Sequence, residues 1–233
     1  MVVEQLARHK EENDFEQFYG KIATLEPDVK RFMEGSLKAA ENQGVVDRGF
    51  YSADELLDEV YIEVFKEFSG YIDEERLKTI LFSKAIKKIE EKKVIEQEAL
   101  ECASTEEMLK DEMDALDEKF TTQADGDLIL NTELDDISYK QTVKKPNNVL
   151  LDTIIEQQLI EKMDMKDWLL PSKERRTAFG TLYNSILPRS KWVLNLYAFG
   201  NRNEHEISEI IEVPEAVIVG ILDKLKERFS LLG

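Results

Sequence analysis

Apolar residues recur along this chain at helical spacing, and no stretch of useful length alternates as a strand would. Near the start, Phe15, Phe18, Tyr19 and Ile22 share one helix face, and Asn13-Asp14-Phe15-Glu16 offers a capping box ahead of them. Pro27 suits the first turn of a second helix, which carries Val29, Phe32, Met33 and Leu37. Asn42-Gln43-Gly44 and Arg48-Gly49 mark a loop. Ser52-Ala53-Asp54-Glu55 is a second capping box. It opens a helix with Leu57, Val60, Tyr61, Val64 and Phe68 on one side and Gly70 as its stop. A fourth helix, from Asp73 to about Lys93, turns Leu77, Ile80, Leu81 and Ile89 inward and ends in lysines.

Periodicity then weakens from residue 94 to 150 and returns with Leu151, Ile154, Ile155, Gln158, Leu159 and Met163. Pro171 interrupts, and Ala178, Leu182, Ile186 and Leu187 continue. Pro188 starts a helix with Trp192, Val193, Leu196 and Tyr197, stopped by Gly200-Asn201. Asn203-Glu204-His205-Glu206 is a third capping box, before a short helix with Ile207, Ile210 and Ile211. A turn around Glu212-Val213-Pro214 leads into a last helix ending near Phe229, which is the helix-turn-helix plan. The expected fold is all-α: helical domains over 1–93 and 151–233, joined by a linker over 94–150.

Charge sharpens this division. The net charge is −18, but residues 94–138 hold 15 acidic side chains against 2 basic ones, so the acidity is concentrated in the middle and the two ends are nearly balanced. The middle therefore reads as a helical extension running into an acidic tether, which could shield basic surface such as Lys84–Lys93. With 42% hydrophobic residues the rest can build a core. No apolar run is long enough to span a bilayer, and MVVEQLARHKEEND has no apolar signal core, so a cytoplasmic protein is expected. Cys102 cannot form an internal disulfide, which fits a reducing compartment.

Chemistry is sparse. His9 and His205 lack partners at zinc-ligand spacing, and Cys102 lies among acids that disfavour a thiolate. No phosphate loop, HExxH or GxSxG occurs, so no catalytic residue, metal or cofactor is expected, and no enzyme activity. Lys84, Lys87, Lys88, Lys92 and Lys93 suit a nucleic-acid backbone, and equally an ordinary solvated helix end interleaved with Glu90 and Glu91.

Asp14-Phe15-Glu16-Gln17-Phe18-Tyr19, the helix from Ala53 to Phe65, and the segment from Leu187-Pro188 to Arg228 together resemble bacterial RNA polymerase sigma factors of the two-domain extracytoplasmic-function kind. Order and spacing carry the resemblance over about two thirds of the chain; the acidic middle has no counterpart. It implies a transcription initiation factor whose helix from Asp54 to Phe68 docks on core RNA polymerase. Asp58, Glu59, Ile62 and Glu63 form the candidate docking edge. The chain departs from the family pattern at Asp58, where a Gln is usual, and in the last helix, where Glu212, Val217, Val219 and Ile221 replace Gly, Thr and basic residues. Lys224, Lys226 and Arg228 keep positive charge, late in that helix.

The last helix thus poses a question. Ile218, Ile221, Leu222, Leu225 and Phe229 fit a core face, while Ala216, Val219, Gly220 and Asp223 turn outward with no base among them. Base readout needs Arg, Lys, Asn or Gln. Val217, Val219 and Gly220 are therefore expected as a protein-contact patch. The alternative to promoter recruitment is a sigma-derived interaction module that has lost DNA reading. Core RNA polymerase is the implied partner. Promoter DNA, and a regulatory protein or second copy at the last helix, stay open.

Overall fold

The computed structural model describes residues 2–70, 72–102, 120–122, 128–130, 150–163, 165 and 172–230. Nearly all of this is helix. From the first half of the chain come α1 (Val2–Glu11), α2 (Phe15–Leu25), α3 (Pro27–Asn42), α4 (Ala53–Glu67) and α5 (Glu74–Cys102). From the second come α6 (Thr153–Lys162), α7 (Lys173–Ser185), α8 (Pro188–Ala198), α9 (Glu204–Ile211) and α10 (Glu215–Ser230). Among the described residues no helix is long and apolar enough to cross a membrane.

Two elements go beyond the sequence expectations. The first is α1, whose Leu6 is buried against the other N-terminal helices. The second is a hairpin inside the stretch read as a tether. β1 (Phe120–Thr122) and β2 (Leu128–Leu130) pair antiparallel, with Phe120 opposite Leu130. Strands of three residues are too short to show an alternating pattern. The helical extension beyond Lys93 reaches Cys102.

The three expected capping boxes fare differently. At α9 the box is complete: Asn203 accepts from the Glu206 amide at 2.9 Å, and Glu206 accepts from the Asn203 amide at 2.9 Å. At α4 the cap residue is Ser52, as expected, but its side chain makes no capping bond. At α2 the cap is Asp14, accepting from Gln17 N at 3.1 Å, one residue later than Asn13. Asn13 instead takes a left-handed conformation, φ 54°, which asparagine tolerates better than most residues.

The two ends of the chain meet in apolar packing. Val193, Leu196, Ile207, Ile210, Ile218 and Leu222 join one buried cluster with Phe18, Phe32, Val60 and Phe82. A smaller cluster gathers Ile155, Leu159, Phe179, Tyr183, Phe199 and Phe229, and reaches Ala39 of α3. Gly35, in mid-helix, makes this approach possible: a Cβ there would stand 2.6 Å from Phe199 Cγ. A helical glycine costs about 1 kcal/mol relative to alanine. Here that cost lets a fully buried phenylalanine ring lie on the α3 backbone.

Candidate functional site

The expected docking edge and the expected DNA-binding lysines turn out to face each other. Glu59, Glu63 and Glu67 recur every four residues on α4, and Lys84, Lys88 and Lys92 recur every four on α5. Such spacing sets each trio in one stripe along its helix. Lys84 meets Glu63 at 3.4 Å and Glu67 at 3.0 Å. Lys88 meets Glu63 at 2.7 Å and Glu59 at 3.3 Å, and Lys92 meets Glu59 at 3.4 Å. The result is a charge zipper along the α4–α5 seam. Burial works against the Lys88 ammonium, but hydrogen bonds to Glu63, Glu91 and Glu59 outweigh it and hold the pKa above the ordinary lysine value. Glu63 is held below the usual carboxylate range, first by its hydrogen bond to Lys88.

Four of the five lysines are therefore committed to glutamates, three of them across the α4–α5 seam. Lys93 pairs with Glu90 at 2.9 Å and lies 4.5 Å over the Trp192 ring. Lys87 is exposed, with no ion pair among the described residues. α4 covers one side of these lysines, and the tether expected to shield them lies largely outside the described residues, at 103–119, 123–127 and 131–149. Of the docking edge, Asp58 accepts from the Tyr19 hydroxyl at 2.7 Å, and Glu59 and Glu63 belong to the zipper. Ile62, 39% exposed, is the apolar side chain left facing outward.

At the C-terminal end, α9 and α10 are joined through Glu212, Val213 and Pro214. Glu212 adopts φ 58°, ψ 46°, the left-handed conformation that glycine reaches most cheaply. His205 Nδ1 stands 3.1 Å from Glu215 Oε2 across the turn. Ile218, Leu222, Leu225 and Phe229 are buried and Ile221 is half-buried, as their spacing implies. Val217 and Val219 are exposed at 48% and 39%, and a Cβ on Gly220 would meet open space. The two valines stand on opposite flanks of α10, with Ala216 and Gly220 between them around the helix. Residues two apart on a helix are separated by about 200°. Val217 shares its flank with the exposed Lys224 and Arg228, and Val219 shares the other with Asp223. Lys226 lies 5.3 Å over the Tyr197 ring.

The polar contacts between the two ends were not visible in the sequence. The buried Tyr183 hydroxyl donates to Asn195 Oδ1 at 2.8 Å, and Asn195 Nδ2 donates to Ser36 Oγ at 3.2 Å, tying α7 and α8 to α3. Trp192 Nε1 donates to Glu90 at 3.0 Å. Arg202 pairs with Glu26 at 3.4 Å, Asp28 at 3.1 Å and Glu206 at 3.0 Å, with its guanidinium 5.0 Å over the Phe82 ring. Burial raises the Glu26 pKa, and the Arg202 charge opposes that shift. Trp192 apart, these residues fall in no periodic stripe, so their partners depend on tertiary packing. Among the described residues, no three His, Cys, Asp or Glu side chains group closely enough to hold a metal ion.

No protein-family model, curated protein or solved structure matches this chain.

Proposed function

We propose that this chain is a sigma-like transcription initiation factor that binds core RNA polymerase and directs it to promoters. On this reading α1–α5 form the polymerase-docking domain, and the C-terminal helices form a second domain closing in a helix-turn-helix. The observation that carries the reading is the form of the C-terminal end. A short capped helix, a three-residue turn with a left-handed first residue, and a longer helix follow one another as a helix-turn-helix requires. The exposed Ile62 edge of α4 supplies a surface for docking.

The test is a quantitative pull-down of the full chain with bacterial core RNA polymerase. Ile62→Glu puts a charge at the centre of the docking edge without touching an ion pair, so helicity should be unchanged and association should fall about tenfold or more. Reversing Glu59 and Glu63 would be a poor test, because it strips Lys88 of two of its three partners. Absence of any wild-type association would overturn the proposal.

A second reading is favoured by one observation. Lys84, Lys88 and Lys92 are tied to α4, and the outward centre of α10 carries Asp223 and Glu227. A protein built this way would act through protein contacts and would have lost promoter reading. The polymerase complex, once formed, separates the two readings by whether it retains labelled promoter DNA.

A further inference from the structure

Between α3, α5, α7 and α8 lies a half-open cleft of about 230 Å³. Ala39, Ala40, Val45, Val94 and Trp192 give it apolar walls. Lys191 projects into the same space, 5.2 Å over the Tyr183 ring, and meets no carboxylate among the described residues; its one hydrogen bond is a 3.5 Å contact to the Asn184 carbonyl. This differs from Lys93 on the facing wall, which is paired with Glu90.

We propose that this cleft binds a small apolar monocarboxylate, its acid group held by Lys191 and its hydrocarbon body lying against Trp192, Val45 and Val94. Three features fix the ligand class. Two lysines and one glutamate line the cleft, a net charge of +1, which matches a monoanion and leaves a phosphate dianion under-compensated beside Glu90. The walls reward hydrocarbon burial, and the volume suits a small acid. Gln43, on the α3 wall, has an amide nitrogen buried without an acceptor, and a carboxylate is an acceptor. Burial, with the nearby Lys93 charge adding to it, lowers the Lys191 pKa to about 8, so the ammonium is poorly solvated and gains from a counter-charge. The other titratable groups around it are Glu90 on α5 and Tyr183 on α7. None of this depends on the transcription reading.

The test is fluorine NMR on the full chain, with 4-(trifluoromethyl)benzoate as probe and 4-(trifluoromethyl)benzamide as its neutral counterpart. The benzoate should bind saturably with a dissociation constant at or below roughly 1 mM. The benzamide should bind at least about tenfold more weakly. Raising the pH from about 7 to about 10 should weaken only the benzoate, as Lys191 loses its proton. Lys191→Met should remove the preference for the acid. Val94→Glu removes part of the apolar wall and adds a negative charge at the exposed rim, so it should weaken both probes and the benzoate more, narrowing the preference for the acid; it keeps the test intact if the Lys191 variant folds poorly. No saturable binding of the benzoate, equal binding of both probes, or an unchanged preference in both variants overturns the proposal.

Discussion

Two lysine-bearing seams run through this molecule, and lysine does opposite things in them. Along the α4–α5 seam, Lys84, Lys88 and Lys92 meet Glu59, Glu63 and Glu67, and every ammonium has a counter-charge. Where α8 meets α3 and α5, Lys191 faces Lys93, and the buried polar contacts are neutral, running from Tyr183 through Asn195 to Ser36. A basic run in the sequence therefore says little about available charge until the facing helix is known. The five lysines that look most like a nucleic-acid surface are largely spent, while a lysine in no run at all meets no carboxylate among the described residues.

The neutral seam should be the costlier one to break. Asn195 both accepts from the buried Tyr183 hydroxyl and donates to Ser36. Asn195→Ala leaves those groups unsatisfied inside the core, and each such group costs about 1–3 kcal/mol. We expect a loss of about 2–4 kcal/mol in urea unfolding followed by circular dichroism. Tyr183→Phe removes only the donor and should cost less. If Asn195→Ala costs no more than a surface substitution, the neutral contacts do not hold the two ends together.

Helix positions and their inward faces were largely legible, because burial imposes the 3.6-residue period directly on Phe18, Ile22, Val29, Phe32, Val60 and Val64. The charge zipper was legible too: two stripes of opposite charge at spacing four, on neighbouring antiparallel helices, announce each other. Reading the lysines alone hid it. The Tyr183–Asn195–Ser36 contacts, the Arg202 cluster and the Lys191 cleft were not legible. Each includes a link between residues more than a hundred positions apart, such as Asn195 to Ser36 and Arg202 to Glu26, and no local pattern encodes such a partner. The outer face of α10 is broad: Val217 and Val219 are close in sequence but point about 160° apart around the helix, with Gly220 between them.

Replacing a lysine in each seam should shift stability in opposite directions. Lys88→Met removes the partner of three glutamates and should destabilise by about 1–2 kcal/mol near neutral pH. The raised Lys88 pKa means its contribution is complete below the ordinary lysine value of 10.5 and is lost as pH climbs through the folded value. Lys191 has the reverse sign. Its folded pKa of about 8 lies below 10.5, so the unfolded chain holds the proton more tightly between these values, and stability rises with pH across that window. Lys191→Met should remove that rise and be the more stable protein at pH 7. Thermal midpoints of both variants at pH 7 and pH 9.5 decide the matter. Equal slopes for wild type and Lys191→Met would show that this lysine is fully solvated.

The smallest effect should come from the turn between α9 and α10, which belongs to neither seam. Glu212 holds φ 58° there, and its amide still bonds to Ser208. A side chain in this conformation costs roughly 1 kcal/mol, which glycine avoids. Glycine also gives the unfolded chain more freedom, so part of the gain is offset. Glu212→Gly removes a charge as well as a Cβ, and Glu212→Ala removes the same charge while keeping the Cβ. Their difference isolates the backbone, and we expect Glu212→Gly to be the more stable of the two by about 0.5–1 kcal/mol. Because the turn touches neither Lys88 nor Lys191, both variants should keep the wild-type pH slope. A glycine variant no more stable than the alanine variant would mean that the turn does not hold Glu212 in the left-handed conformation in solution.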